Sequence, residues 1–291
     1  MKQIILTGSS SGFGLSAVKT LALKGHTVYA TMRNINGVNA VVAKELTDWA
    51  KTQQAKVIVV ELDVTSTTSV NNAIAEIAKQ SGGRIDVLIN NAGVSFMGLG
   101  ESLSIEQTEM LYQVNTIGPE RTMKAVLPYM HKQKEGLIIN VTSVQSRQYF
   151  PVLSTYNGTK AALDAVTMGY HYELKSSGID VVSIQPGAYQ STDIVSKGIV
   201  AKNAGVESQY GKDILDFKRA LVQYFEPTPE TPDPKEVADV MLKLVELPQG
   251  QRPVTNVIGG GQNTGKIEEM NETMKQIVEG TVAFLPTVFP A

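Results

Sequence analysis

The sequence contains no cysteine, which excludes disulfides, cysteine-ligated metals and thiol catalysis together. A strong net charge is missing as well: 26 basic residues stand against 28 acidic ones, a formal −2. Neither nucleic acid nor an anionic membrane surface is therefore an expected partner. No apolar run approaches the ~18 residues that a membrane helix needs. Met1-Lys2 leads straight into Gln3-Ile4-Ile5-Leu6-Thr7, which reads as a core strand and not as the apolar region of a secretory leader. The three histidines, His26, His131 and His171, show no paired spacing, so no metal site is expected. These absences predict a soluble, cytoplasmic protein. What remains is ordinary globular composition, 42% hydrophobic and 19% charged over 291 residues, enough to bury one sizeable core. One domain spanning 1–291 is expected.

Strand-like apolar runs alternate with helical periods along most of the chain. The predicted strands are 3–7, 27–31, 57–62, 86–90, 136–142, 179–185 and 254–258. Several are continuous Val/Ile/Leu runs, as expected where helices cover both faces of a parallel sheet. After Asp63 a Thr/Ser cluster caps a helix whose apolar positions Val70, Ala73, Ile74, Ile77 and Ala78 follow helical spacing, and Gly82-Gly83 ends it. Earlier, Leu15, Val18 and Ala22 mark another helix face, with Gly25 as its stop. This pattern predicts an α/β doubly wound parallel sheet of about seven strands, a Rossmann-like arrangement in one domain. The stretch 188–233 departs from the alternation and ends in a break, 226–234, holding four prolines. It reads either as a surface excursion or as a lid over a substrate site, and its place after the sixth strand favours the lid. The last helix is expected at 234–247, followed by a C-terminal extension, 259–291. The end of that extension, 281–291, is apolar enough to pack on the domain or on a partner subunit.

The first strand ends in Thr7-Gly8-Ser9-Ser10-Ser11-Gly12-Phe13-Gly14 and opens directly into a helix. Glycines allow a tight turn and close backbone approach, and helix N-terminal amides suit a pyrophosphate. Strand two ends Tyr29-Ala30-Thr31-Met32-Arg33, with no acid from Ala30 to Arg33. A carboxylate there would hold ribose hydroxyls and repel a 2′-phosphate, whereas Arg33 can clamp one. Of the ten tyrosines, only Tyr156 has a lysine four residues on, Lys160. On a helix that spacing puts both on one face, where an ammonium would stabilise the phenolate and let the phenol exchange a proton with a carbonyl or alcohol. Ser143 stands thirteen residues upstream, at a strand end. Asn115, the run Asn90-Asn91-Ala92-Gly93 and the pair Pro186-Gly187 likewise lie at strand ends or on adjoining helices, where open α/β sheets bind ligands. The run Gly260–Lys266 matches the start of a phosphate-binding loop, but Ile267 stands where Ser or Thr would hold magnesium, so ATP binding is not expected.

Taken together these motifs resemble the classical short-chain dehydrogenase/reductase family, from Gln3 to about Gly187 and more loosely to Ile258. The Ala-Thr-Met-Arg-Asn run is similar to NADP-preferring, hydroxysteroid-dehydrogenase-like carbonyl reductases. The resemblance implies that Gly8, Ser10, Ser11, Gly12, Phe13 and Gly14 hold the cofactor phosphates, with Arg33 on the 2′-phosphate and Asp63 and Val64 at the adenine. It assigns Asn90, Ala92 and Gly93 to the sheet and cofactor, and Pro186 and Gly187 to the nicotinamide. The nicotinamide carboxamide contact falls on Ser191, four residues past Gly187, or on its neighbour Thr192. By the same resemblance Ser143 holds the substrate oxygen and Tyr156 is the acid/base. Lys160 binds the ribose and lowers the tyrosine pKa, and Asn115 holds a relay water.

The expected function is hydride transfer between NADP(H), with NAD(H) less favoured, and a hydrophobic carbonyl or alcohol substrate. Val94, Phe96, Gln145, Phe150, Leu153 and Tyr189 are the expected pocket residues. Family members commonly pair through the helices carrying Asn115 and Tyr156, so a homodimer or homotetramer is expected. Two alternatives are a non-catalytic NADPH-sensing protein of the same fold and a family member that dehydrates or epimerises. The intact Asn115, Ser143, Tyr156, Lys160 set disfavours the first. The GxxxGxG spacing of Gly8, Gly12 and Gly14, unlike the TGxxGxxG of the family's extended, epimerase-like branch, disfavours the second.

Overall fold

A computed structural model of the chain describes residues 1–226, 228 and 231–288, the last three by backbone alone. Expectations for part of the proline-rich break and for the end of the apolar tail lie outside the described residues.

Seven strands form the sheet: β1 (Gln3–Thr7), β2 (Thr27–Met32), β3 (Val57–Glu61), β4 (Val87–Asn90), β5 (Gly136–Val141), β6 (Ile179–Pro186) and β7 (Thr255–Ile258). All neighbours pair in parallel, in the order β3-β2-β1-β4-β5-β6-β7. The predicted strands agree within about one residue at each end. Such a doubly wound sheet needs helical crossovers, and the chain supplies them. Between β1 and β2 runs α1 (Gly12–Leu23), between β2 and β3 α2 (Ala40–Thr52), and between β3 and β4 α3 (Thr67–Gln80). Ser66 caps α3 by accepting from the Ser69 amide, as the Thr/Ser cluster predicts. Then come α4 (Ile105–Tyr112), a single π turn over Gln113–Ile117, α5 (Gly118–Gln133) and α6 (Ser154–Leu174).

Side-chain alternation along the strands splits the core in two. Ile4 and Leu6 of β1 join Val18 and Leu21 of α1 on one face. Ile5 turns the other way, toward Val70, Ile74 and Ile77 of α3 and Met123 and Val126 of α5. The chain leaves β3 at the sheet edge and returns as β4 on the far side of β1. Connections after β1 and β4 therefore diverge, and a crevice opens at their carboxyl ends.

After β6 the excursion contains a 3-10 turn, Ala204–Gln209, and a helix, α7 (Lys212–Tyr224). Ile214, Leu215 and Leu221 of α7 form a separate apolar cluster with Leu99, Val152 and Leu153. The helix expected at 234–247 is present as α8 (Lys235–Glu246), but it is not the last. A further helix, α9 (Thr264–Val288), occupies the C-terminal extension. Its start packs through Ile267 and Asn271, whereas Met274, Ile277, Val282 and Leu285 are exposed. Val282 and Leu285 of the apolar tail are thus exposed on the single chain. Among the described residues no helix is long and apolar enough to cross a membrane.

Candidate active site

The turn between β1 and α1 is fixed from beneath by β4. The Thr7 hydroxyl accepts from the amides of Asn91 (3.0 Å) and Ala92 (3.1 Å). The Asn91 carboxamide donates to the carbonyls of Thr7 and Gly8, both at 3.0 Å. Two glycines are required by space. Gly8 has φ +71°, and a Cβ there would stand 2.7 Å from Ala92 Cα; one on Gly14 would stand 2.1 Å from the Gly8 carbonyl oxygen. The turn is a backbone surface, closed to side chains and edged by Ser10, Ser11, Gly12 and Phe13. The side chain of Ser11, at the N-cap of α1, makes no capping bond to the helix.

From this turn a cavity of about 1190 Å³ runs along the carboxyl edge of the sheet. One end is lined by Arg33, Asp63, Val64 and Thr65. Asp63 is held in place, accepting from both the amide (2.9 Å) and the hydroxyl (2.7 Å) of Thr65. In the middle stand Ala92 and Gly93, opposite Pro186 and Gly187. The other end is apolar: Val94, Phe96, Phe150 and Leu153 face Phe217, Leu221 and Phe225, the last three from α7 and its end. The excursion is therefore one wall of the cavity. The residues fit a dinucleotide: a glycine turn in which a Cβ on Gly8 or Gly14 would clash, a cation at one end, and room beyond for a second molecule.

Ser143, Tyr156 and Lys160 converge on the cavity floor. Ser143 follows β5 and caps a 3-10 turn, its hydroxyl accepting from the Gln145 amide at 3.1 Å. Tyr156 and Lys160 lie one turn apart on α6. Burial pushes the Tyr156 phenol up to about 12, and a hydrogen bond with Ser143 pulls the other way. Lys160 is buried too, and desolvation lowers it to about 8. Its ammonium donates to the Val141 carbonyl at 2.9 Å and stands 5.9 Å from the Tyr156 ring centre. Asn115, in the π turn, is fully buried and does not line the cavity. It accepts from the Val94 amide at 2.9 Å and donates to the Val94 carbonyl (2.8 Å) and the Thr159 hydroxyl (3.1 Å). Those bonds tie the loop after β4 to α6.

Two placements, those of Asn90 and Ser191, depart from the sequence reading, whereas Tyr189 lines the cavity as expected. Asn90 is buried under the site, donating to the Asn140 carboxamide at 2.9 Å and accepting from Thr122 at 2.6 Å; it braces the sheet. Ser191 turns away, its hydroxyl donating to the Pro232 carbonyl at 3.1 Å, whereas Thr192 lines the cavity. Tyr189 lines it near Phe13, against whose ring it packs edge-on at 5.1 Å, and its hydroxyl donates to Glu236 at 3.1 Å. Sequence reasoning missed the last wall, Gly259 to Asn263. The pairing of Pro186 with Ile258 brings it beside Gly187, and a Cβ on Gly187 would lie 1.7 Å from the Gly259 carbonyl oxygen. The glycine run that resembled a phosphate loop was the available signal.

Comparison with known proteins shows the family and the fold. The model of the family described as short chain dehydrogenase matches residues 2–203. An uncharacterized oxidoreductase of Bacillus subtilis is 33% identical over 252 residues, 84% of each chain. A 3-ketodihydrosphingosine reductase of Bacteroides thetaiotaomicron is 32% identical over 212 residues, 73% of this chain and 72% of its own. A solved short-chain dehydrogenase from Streptomyces avermitilis superposes with a TM-score of 0.77 at 24% identity, covering 99% of this chain and 100% of its own. Among other neighbours of this fold, an alcohol dehydrogenase from Thermococcus sibiricus is complexed with 5-hydroxy-NADP (TM-score 0.71, 23% identity, 90% and 97% coverage). A Burkholderia phymatum enzyme is complexed with NAD (TM-score 0.76, 22% identity, 94% of each chain). The chain belongs to the short-chain dehydrogenase family of oxidoreductases.

Proposed function

We propose that this protein is an NADP(H)-dependent carbonyl reductase acting on uncharged, hydrophobic ketones or aldehydes, or on the alcohols they form. The observation that carries it is the meeting of Ser143, Tyr156 and Lys160 on the floor of a cavity that begins at the glycine turn. When bound, the nicotinamide supplies or accepts the hydride. The chain's residues do the rest. Gly8, Ser10, Ser11, Gly12 and Phe13 would hold the phosphates, Asp63 and Val64 the adenine, Lys160 the nicotinamide ribose, and Thr192 the nicotinamide end. Arg33 would hold a 2′-phosphate, and the absence of any acid from Ala30 to Arg33 favours NADP(H) over NAD(H).

Ser143 would orient the substrate oxygen by a hydrogen bond. A phenol pushed up to about 12 stays protonated at neutral pH, so Tyr156 is poised to give a proton to that oxygen as hydride reaches the carbon. The substrate end carries aromatic and aliphatic side chains. Among the described residues there, the charged Asp193 and Lys197 pair with one another at 2.7 Å, which supports an uncharged substrate. The name of the Bacteroides relative, a reductase of a keto compound, supports the same class.

The test is loss of NADPH absorbance over a panel of ketones, aldehydes, quinones and steroids, with charged analogues as controls. Turnover confined to uncharged apolar carbonyls is expected. Binding of NADPH with no turnover on any carbonyl would instead support the non-catalytic sensor.

A further inference from the structure

Below Lys160 the active-site face of α6 continues to Asp164, another four residues on. There the structure holds a closed ring of buried hydrogen bonds. Arg147 donates from Nη2 to Asp164 Oδ2 at 2.5 Å and from Nε to Asn271 Oδ1 at 2.8 Å. Asn271 donates to Gln185 Oε1 at 2.7 Å, and Gln185 returns to Asp164 Oδ1 at 3.1 Å. All four residues are buried, with the side chains of Arg147 and Asp164 only 5% and 1% exposed. They come from four places: the turn after β5, α6, β6 and α9.

Two further bonds carry this ring to the catalytic serine. The third arm of Arg147, Nη1, donates to the Ser146 carbonyl at 2.9 Å, and the Ser146 hydroxyl donates to the Ser143 carbonyl at 2.7 Å. Gln185 immediately precedes Pro186, whose carbonyl faces the Ser143 hydroxyl at 3.4 Å. An ion pair taken out of water is weak grounds for stability, because apolar residues of similar volume often serve as well or better. Its planar fork does something an apolar cluster cannot: it fixes three partners in one plane.

We infer that Arg147, with Asp164 and Asn271, is a positioning device that holds the Ser143 turn in register with the helix bearing Tyr156, and that α9 contributes to catalysis through Asn271. This rests on the reductase reading, in which Ser143 orients the substrate oxygen. None of the three residues lines the cavity. They act through Ser143 and leave cofactor binding alone.

The test uses the full chain and two mild variants. Asn271→Leu removes the outer partner without exposing a buried charge. Arg147→Lys keeps the charge beside Asp164 but loses the fork. For each, kcat is measured per NADPH-binding site, so that a smaller folded fraction does not register, together with NADPH affinity and the solvent deuterium isotope effect on kcat. Misplacing a reacting group is costly, so kcat per site should fall at least about tenfold. NADPH affinity should hold and the isotope effect should grow, as proton delivery becomes slower. Unchanged kcat per site and isotope effect, with only thermal stability reduced, would overturn the inference. Tyr156→Phe, measured in parallel, separates the two claims. If that variant stays active the reductase reading fails, whereas an inactive Tyr156→Phe beside fully active Asn271→Leu and Arg147→Lys sinks the positioning role alone.

Discussion

Lys160 is a buried ammonium whose nearest oxygen is the neutral Val141 carbonyl, and its burial should be visible in stability against pH. Its pKa is lowered from 10.5 to about 8 by desolvation. Below pH 8 both the folded and unfolded chains carry the proton, so the full cost of burying the charge is present. Between 8 and 10.5 the folded chain has released the proton while the unfolded chain still holds it, so stability rises with pH through that window. At about 1.4 kcal/mol per unit, the rise is on the order of 3 kcal/mol. Lys160→Met abolishes it. Tyr156, raised toward 12, works the other way above about pH 10, because the unfolded chain then loses the phenolic proton first. That contribution is common to both proteins and drops out of their difference. Urea unfolding of wild type and Lys160→Met at half-unit steps from pH 7 to 10 gives the difference directly. Wild type should gain on the variant from pH 8 upward. Parallel stability curves would refute a desolvated Lys160.

Two other expectations concern the cofactor end of the cavity. Arg33→Asp removes the cation that lines that end and adds repulsion, so cofactor preference should move toward NAD(H) by about 1–3 kcal/mol in relative kcat/KM; a wild type that already prefers NADH would contradict the role given to Arg33. Gly14→Ala places a Cβ 2.1 Å from the Gly8 carbonyl oxygen, and the overpacking should cost about 1–3 kcal/mol; thermal unfolding and an NADPH titration should both show it, and wild-type values in both would mean the turn has slack the structure does not show.

The sheet was legible in the sequence because its strands are buried on both faces. Strands such as 87–90 and 136–141 carry nearly continuous apolar character, so their positions follow from hydrophobicity alone. The cavity floor was legible for a different reason: Tyr156 and Lys160 share a helix, and helical spacing is a local property. Helix α9 was not, because among its described side chains only Ile267 and Asn271 are buried while Met274 and Ile277 face outward. Its apolar residues do not mark its packed face, so periodicity pointed nowhere. Ser191 and Thr192 differ by one position in an irregular loop. What separates them is a turn in which the Thr192 amide bonds to the Tyr189 carbonyl at 3.0 Å, a detail that spacing does not encode. The wall from Gly259 to Asn263 is more than 70 residues beyond Gly187, and only the pairing of β6 with β7 joins them. Burial of Tyr156, which pushes its phenol up, was likewise invisible.

The central claim is that Tyr156 delivers the proton. Tyr156→Phe keeps the ring and its packing but deletes the hydroxyl that meets Ser143. Turnover of NADPH with the best carbonyl substrate, measured beside an NADPH titration of the same preparation, should fall at least ~10²–10⁴-fold while cofactor affinity stays near wild type. Wild-type turnover in a folded, NADPH-binding Tyr156→Phe protein would contradict it, since the proton would then come from elsewhere.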